Sequence, residues 1–288
     1  REALGRYVGV PGGCVCVGSG AEHLIDFLAQ SFLGVGDNVV CVVPSFFMYG
    51  KRVSLCGASV VDVPLREDLS LDVEGVLAKC NDRTRLVFVC SPNNPTGNEF
   101  GWSEVEALAD GCSALVVVDE AYAEFGDGSV CSKAVDKENI VVVRTFSKAF
   151  GLAGLRFGYL VANEELASGL SEVIPYTVGT VVARFVERLL DRRDVVEGWV
   201  SRVKEERGRL IKELRSISGV RVFDSKANFV TFRPEMDADR VYKGLLERGV
   251  VVKNLGSLSV IGHCLRVTVG LPEMNEAFVK ALRGVLGG

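Results

Sequence analysis

VVVRTFSKAFGLAGLRFGY, residues 141–159, places a single lysine, Lys148, at the foot of an apolar, β-branched strand. Ser147 precedes it, and Arg156 follows eight residues later. Burial disfavours an ammonium ion, so an amine at such a strand end is expected below its ordinary pKa, and a neutral amine attacks carbonyls. A hydroxyl and a planar guanidinium beside it suit a phosphate ester. On this segment alone, a solvated loop lysine and a nucleophilic amine fit equally well.

Outward from this strand the same texture repeats. Short apolar runs alternate with amphipathic segments from residue 15 to residue 161. Strands are expected at 38–43, 59–63, 86–90, 114–118, 140–144 and 156–161, and helices at 21–32, 46–55, 72–79 and 103–109. Asp72 and Ser103 read as N-caps and Gly57 as a C-terminal stop. The alternation predicts an α/β class with a mainly parallel sheet sandwiched by helices.

Beyond Pro175, residues 178–215 are rich in Arg, Glu and Leu, with Trp199, Val203, Leu210 and Leu214 stepping by four and seven. That spacing predicts one or two long amphipathic helices. Strands near 220–223, 228–232, 250–253 and 265–269 and helices near 237–248 and 273–286 follow. In the last helix Met274, Phe278, Leu282 and Val285 read as one apolar stripe. Two domains are therefore expected: a large α/β domain over 1–192 and a small α+β domain over 193–288, with the connecting helix at about 178–215.

Bulk composition narrows the function classes. The 288 residues are 48% hydrophobic and 24% charged, with a net charge of −4. A weakly acidic chain lacks the electrostatic footprint of a nucleic-acid binder. No apolar run approaches the roughly 20 residues of a spanning helix. No signal-peptide pattern opens the chain, so the cytoplasm is the expected compartment. Nine scattered cysteines form no C-x-x-C pair, and there are only two histidines. Reduced core thiols are expected, with no metal.

Each expected strand of the first domain ends in a polar residue, which in open α/β sheets faces a shared crevice. Strand 86–90 runs into SPNNPTG (91–97), where two prolines fix the loop and Asn93 and Asn94 present amides. Strand 114–118 runs into Asp119-Glu120-Ala121-Tyr122. An acid at a buried strand end is costly unless a cation meets it, and a protonated pyridine nitrogen is one such cation. Tyr122 stands where it can donate to a ring oxygen. VGSGAEHLIDFL (17–28) is a glycine turn entering a helix, a ready anion seat. It fails as a dinucleotide fingerprint because His23 stands at the third glycine position.

With these pieces in order, GSGAEHLI, PSFFMYG, SPNNPTG, VVVDEAYAEF, RTFSKAFGLAGLRFGY and LRVTVG resemble fold-type I pyridoxal-phosphate-dependent aminotransferases, specifically the histidinol-phosphate aminotransferase family. The resemblance runs from about residue 4 to the C-terminus. It implies pyridoxal 5'-phosphate as cofactor and Lys148 as the lysine that joins its aldehyde and moves the substrate proton. It further implies Asp119 as partner of the ring nitrogen and Tyr122 and Asn94 as ligands of the ring oxygen. Thr145, Ser147 and Arg156, with backbone groups at Gly20, Ala21 and Glu22, match the phosphate cup. Phe46 matches the aromatic that stacks on the ring, and Arg266 the arginine that binds a substrate carboxylate.

The implied reaction is ping-pong transamination between an amino donor, histidinol phosphate, and the oxo acid 2-oxoglutarate, in a homodimer. One departure concerns Lys253, which stands thirteen positions before Arg266 where the family carries a second arginine for the substrate phosphate. A lysine keeps the charge but loses the bidentate fork. O-phosphothreonine decarboxylation and aromatic transamination stay open on the same scaffold. So does a non-catalytic cofactor-binding regulatory module. The family also carries several dozen residues ahead of the point where this chain opens, including a tyrosine that reaches the neighbouring subunit's cofactor phosphate. Tyr7 lies near that junction without a matched role.

Overall fold

Strand segments 39–42 and 115–118 carry apolar side chains on both faces, so a sheet built from them has to be roofed on both sides. The computed structural model, which describes residues 1–175 and 177–287, has that arrangement. Helix α1 (Glu2–Val8) leads into β1 (Val15–Gly18), α2 (Ala21–Phe32), β2 (Asn38–Val43), α3 (Met48–Leu55) and β3 (Ser59–Pro64). Then come α4 (Val73–Lys79), β4 (Thr84–Cys90), α5 (Trp102–Gly111), β5 (Leu115–Asp119), α6 (Cys131–Ala134), β6 (Ile140–Thr145) and β7 (Gly158–Val161). Three helices follow in succession: α7 (Glu164–Val173), α8 (Thr180–Leu190) and the 23-residue α9 (Arg193–Arg215). The chain ends with β8 (Val220–Val222), β9 (Phe229–Pro234), α10 (Ala238–Glu247), β10 (Lys253–Leu258), β11 (Gly262–Thr268) and α11 (Pro272–Leu286).

The seven-stranded sheet has the order β1-β7-β6-β5-β4-β2-β3. Strands β3, β2, β4, β5 and β6 run parallel, while β7 is antiparallel to both β6 and β1. Side chains alternate between two cores, as the pleat requires. Val40, Val87, Val116 and Ile140 pack with Val76 of α4 and Leu108 of α5. Val39, Leu86, Leu115 and Val141 pack with Leu24 and Leu28 of α2 and Val53 of α3. The parallel order brings the C-terminal ends of β4, β5 and β6 to one edge of the sheet. A second sheet, β10-β11-β9-β8, is antiparallel throughout and has its own core against α9, α10 and α11.

Local rules account for several element ends. Asp72 caps α4 by accepting from the Gly75 amide. Ser103 does not cap α5: it lies inside the first turn, and Gly101 is the N-cap, its amide bonded to Glu104 at 2.7 Å. Gly57 adopts φ +73 just past α3. The strand expected at 250–253 is displaced to β10, because Val251 points to solvent and the pairing backbone begins at Lys253. Trp199 and Met274, expected in apolar stripes, are exposed. All nine cysteines are free thiols. Among the described residues, no helix is long and apolar enough to cross a membrane.

One close approach fixes where α2 begins. A Cβ at Gly158 would lie 2.7 Å from the Ala21 amide nitrogen and 2.8 Å from the Arg144 carbonyl, so only glycine lets β7 touch the start of the helix. Gly158→Ala is expected to push that helix end off the sheet, at about 1–3 kcal/mol. The thermal midpoint of the purified protein would fall; an unchanged midpoint would show that the contact is not tight.

Candidate active site

Three strand ends and one helix start enclose a crevice of about 610 Å³, its open mouth included. Its walls are Ala21, Glu22, Ile25, Phe46, Cys90, Asn94, Asp119, Ala121, Tyr122, Thr145, Ser147, Lys148 and Arg156. Ten residues expected from the sequence to bind one cofactor thus share one space: Ala21, Glu22, Phe46, Asn94, Asp119, Tyr122, Thr145, Ser147, Lys148 and Arg156. Gly20 adjoins it as the N-cap of α2.

Asp119 ends the central strand and is buried. Burial drives its carboxyl above the usual carboxylate range, opposed by the Tyr49 hydroxyl and the Ala121 amide. Tyr49 donates to Oδ2 at 2.6 Å, and the Ala121 N–H donates to Oδ1 at 3.0 Å. Among the described residues no cation forms an ion pair with it. Tyr49, itself buried and stacked on Phe88 with centroids 4.6 Å apart, was not read from the sequence. The available signal was its place three residues after Phe46, whose ring it meets edge-on at 5.5 Å.

Lys148 lies in the open crevice rather than in the core. It is exposed there, and its Nζ is 5.2 Å from the centre of the Tyr122 ring. The crevice walls lower its pKa, and the Arg266 charge lowers it further. Burial pushes the Tyr122 hydroxyl upward, so it stays a donor.

The two adjacent asparagines separate in function. Asn93 turns inward, donating to the Pro44 carbonyl at 2.8 Å and to Thr96 at 2.6 Å, and so fixes the loop. Asn94 faces the crevice, and its Oδ1 accepts from Arg266. That bond orients the amide with its NH₂ free to donate. Arg266, on β11, lies over the Phe229 ring at 4.7 Å. Lys253 is exposed and lies outside the crevice walls, but it pairs directly with Arg266 across β10 and β11. Directly opposed residues share a sheet face, so both cations sit on one side.

At the other end, α2 offers the free amides of its first turn. The Glu22 carboxylate is drawn away by Arg52 at 2.8 Å, so its charge does not oppose an anion there. Gly20 has φ +88, and a Cβ on it would lie 3.0 Å from an Arg156 guanidinium nitrogen. Glycine therefore lets Arg156 reach the helix start. Thr145 accepts the Ser147 amide at 3.1 Å, shaping the turn that carries Ser147 and Lys148. Tyr7 lies behind the site, its hydroxyl 3.2 Å from Glu124.

These features fit pyridoxal 5'-phosphate. A buried carboxylate lacking a cation suits a pyridinium. A helix start with a guanidinium suits a phosphate, and a low-pKa amine between them suits an aldehyde.

Comparison with known proteins gives the same direction. The family model for aminotransferases of class I and II matches residues 1–282. A histidinol-phosphate aminotransferase of Thermoanaerobacter sp. (strain X514) is 39% identical over 288 residues, covering 99% of this chain and 82% of its own. Histidinol-phosphate aminotransferase 1 of Archaeoglobus fulgidus is 39% identical over 289 residues, covering 100% and 88%. The crystal structure of histidinol-phosphate aminotransferase from Sinorhizobium meliloti in complex with pyridoxal-5'-phosphate superposes with a TM-score of 0.89 at 25% identity, over 99% of this chain and 80% of that one.

The Lys148 environment yields a titration test. Below its pKa the amine is an ammonium without a free lone pair; above it, it reacts with carbonyls. Reductive alkylation of Lys148 by a small aldehyde, followed by peptide mass spectrometry, is expected to switch on at lower pH than other lysines. Arg266→Ala removes a lowering charge, so the switch should move to higher pH. A midpoint that ignores this substitution would place Arg266 outside the amine's reach.

Proposed function

Because the chain belongs to the class I and II aminotransferases and is a pyridoxal-phosphate-dependent enzyme, we propose that it moves an amino group from histidinol phosphate to 2-oxoglutarate, in two half-reactions. One observation carries this reading: the Lys148 amine, its pKa lowered by the crevice walls, and the buried Asp119 carboxylate, which has no ion-pair partner among the described residues, line one crevice. The similarity to histidinol-phosphate aminotransferases supports the donor. The Lys253–Arg266 pair supports an anionic substituent on it.

Bound pyridoxal phosphate supplies an aldehyde that exchanges amines and a protonated ring that draws electrons from the substrate carbon. The chain does the rest. The Asp119 carboxylate would hold the proton on the ring nitrogen, its anion favoured by the Tyr49 hydroxyl and the Ala121 amide against the burial that raises its pKa. Asn94 Nδ2 and the Tyr122 hydroxyl would donate to the ring oxygen, and Phe46 would cover one face of the ring. Ser147, Thr145, Arg156 and the amides of Ala21 and Glu22 seat the phosphate at the start of α2. Lys148 Nζ would hold the cofactor through its aldehyde carbon and would take the proton from the donor's Cα. Arg266 binds the 2-oxoglutarate carboxylate by its fork. In the donor half-reaction Arg266 and Lys253 meet the phosphate.

A second copy of the chain is proposed to cover the crevice, giving a homodimer. Phe47 beside Phe46, and Leu155 beside Arg156, are exposed at its rim. Soluble small molecules are the reactants, and the cytoplasm is the proposed compartment.

Purified protein supplied with histidinol phosphate and 2-oxoglutarate is expected to form glutamate without releasing CO₂. No glutamate from this donor, with turnover of an aromatic amino acid instead, would overturn the assignment. Asp119→Asn leaves the ring nitrogen without its anion. Losing a buried charge partner at about 3–5 kcal/mol corresponds to roughly two to four decades in rate. Turnover within tenfold of the parent enzyme would remove the role given to Asp119. Lys253→Arg restores a bidentate fork and is expected to shift preference toward phosphorylated donors by about tenfold, near 1.4 kcal/mol. An unchanged ratio of kcat/KM between phosphorylated and unphosphorylated donors would place Lys253 outside the substrate's reach.

A further inference from the structure

Arg207 on α9 is a buried guanidinium with no carboxylate in ion-pair contact among the described residues. Its Nη1 donates instead to two neutral acceptors, the Phe125 carbonyl at 2.9 Å and the Ala227 carbonyl at 2.8 Å. Asp127 and Glu99 act on it only through space, and burial lowers its pKa. Withdrawing a cation from water for two backbone carbonyls is costly.

The two carbonyls belong to different domains. Phe125 closes the 3₁₀ turn that starts directly after Tyr122, in the large domain. Ala227 lies two residues before Phe229, which opens β9 in the small one. The Tyr122 and Phe229 rings meet edge-to-face, with centroids 5.3 Å apart and planes at 90°. The Phe229 ring in turn carries the Arg266 guanidinium. One turn earlier on α9, Lys204 grips the Gly126 carbonyl at 2.6 Å, binding the same turn to the helix.

We infer that Arg207 is a positioning residue for substrate-carboxylate recognition: by joining Phe125 to Ala227 it sets the distance between Tyr122 and Arg266. The inference rests on the reading of Arg266 as the carboxylate-binding residue. A guanidinium can serve two acceptors at fixed angles from one rigid plane. Methionine fills similar volume but joins nothing, and lysine restores a donor without the plane.

The experiment uses the cofactor-loaded enzyme with L-glutamate as probe, following the cofactor's absorbance through a single half-reaction. Arg207→Met is expected to raise the half-saturating glutamate concentration about tenfold, with the maximal rate and pyridoxal phosphate affinity each within roughly threefold of the parent enzyme. Arg207→Lys should recover part of that loss, and it serves as the test if the methionine variant does not fold. In an Arg266→Ala background, Arg207→Met should add less than about twofold, because residues acting through one contact are not additive. Unchanged glutamate saturation overturns the inference. So does a parallel loss of cofactor affinity, rate and thermal midpoint, which marks a merely structural clamp, and so do fully additive effects in the double variant. If Arg266→Ala alone leaves glutamate saturation intact, the reading of Arg266 fails and takes this inference with it. Failure of the Arg207 arms alone leaves Arg266 standing.

Discussion

A carboxylate buried at the end of the central strand, with no ion-pair partner among the described residues and only the Lys148 charge acting on it through space, is the constraint around which the site is built. Burial favours the neutral acid at Asp119, while the Tyr49 hydroxyl and the Ala121 amide solvate the anion from within the protein. Each oxygen thus receives one donor and keeps lone pairs toward the crevice. A cation entering the crevice removes the remaining electrostatic penalty. A protonated pyridine ring would be such a cation, and Phe46 lines the crevice that would take it.

The rest of the ring site follows from parallel strands. β4, β5 and β6 end side by side and deliver Asn94, Asp119 and the Thr145–Lys148 turn to one edge. Arg266 comes from a different sheet, so its placement depends on how the two sheets are joined. An apolar seam joins them, with Phe223, Phe229, Ile261 and Cys264 packed in one core with Tyr122 and Phe125, and polar contacts add to it: Arg266 to Asn94, Thr231 to the Pro95 carbonyl, and the Lys226 amide to the Gly97 carbonyl at 2.6 Å. Gly97 permits the last approach, since a Cβ there would lie 2.6 Å from the Ser225 hydroxyl. The loop 91–97 therefore does two things at once: it presents Asn94 to the crevice and bonds to the segments that lead into the sheet carrying Arg266.

Reading from sequence succeeded where physical demand on the residue type is strong. The parallel strands were legible because burial on both faces leaves unbroken apolar runs, and β2 lies where its pattern placed it. Asn94, Asp119 and Lys148 stood out as candidates because polar groups at the ends of such runs are costly, whereas Phe46, Thr145 and Arg266 came from the family resemblance alone. Edge and surface elements were not: β10 is an edge strand with half-exposed residues, so neighbouring Val250–Val252 outweighed it. Helix α1 and strand β1 escaped because each is short, whereas α7 was missed despite ten amphipathic residues and an Asn163 cap. Trp199 read as core through helical spacing alone, which cannot tell which side of a helix a neighbour covers. Tyr49 and Arg207 were invisible for another reason. Their partners lie 70 and up to 82 residues away in sequence, and no local pattern encodes such contacts.

This division of labour bears on how donor choice is set. The ring end is held by a buried strand end, a helix start pinned by Gly158, and an internal hydrogen-bond network, so substitutions there disturb fold and chemistry together. The acid end is built on β10 and β11, where Lys253 stands exposed on an edge strand opposite Arg266. A change at such a position alters charge geometry without opening a cavity or stranding a buried partner, and its cost in stability is small. On the proposed function, substrate preference would shift through the antiparallel sheet, where Lys253 stands, while the parallel sheet would keep the proton chemistry constant.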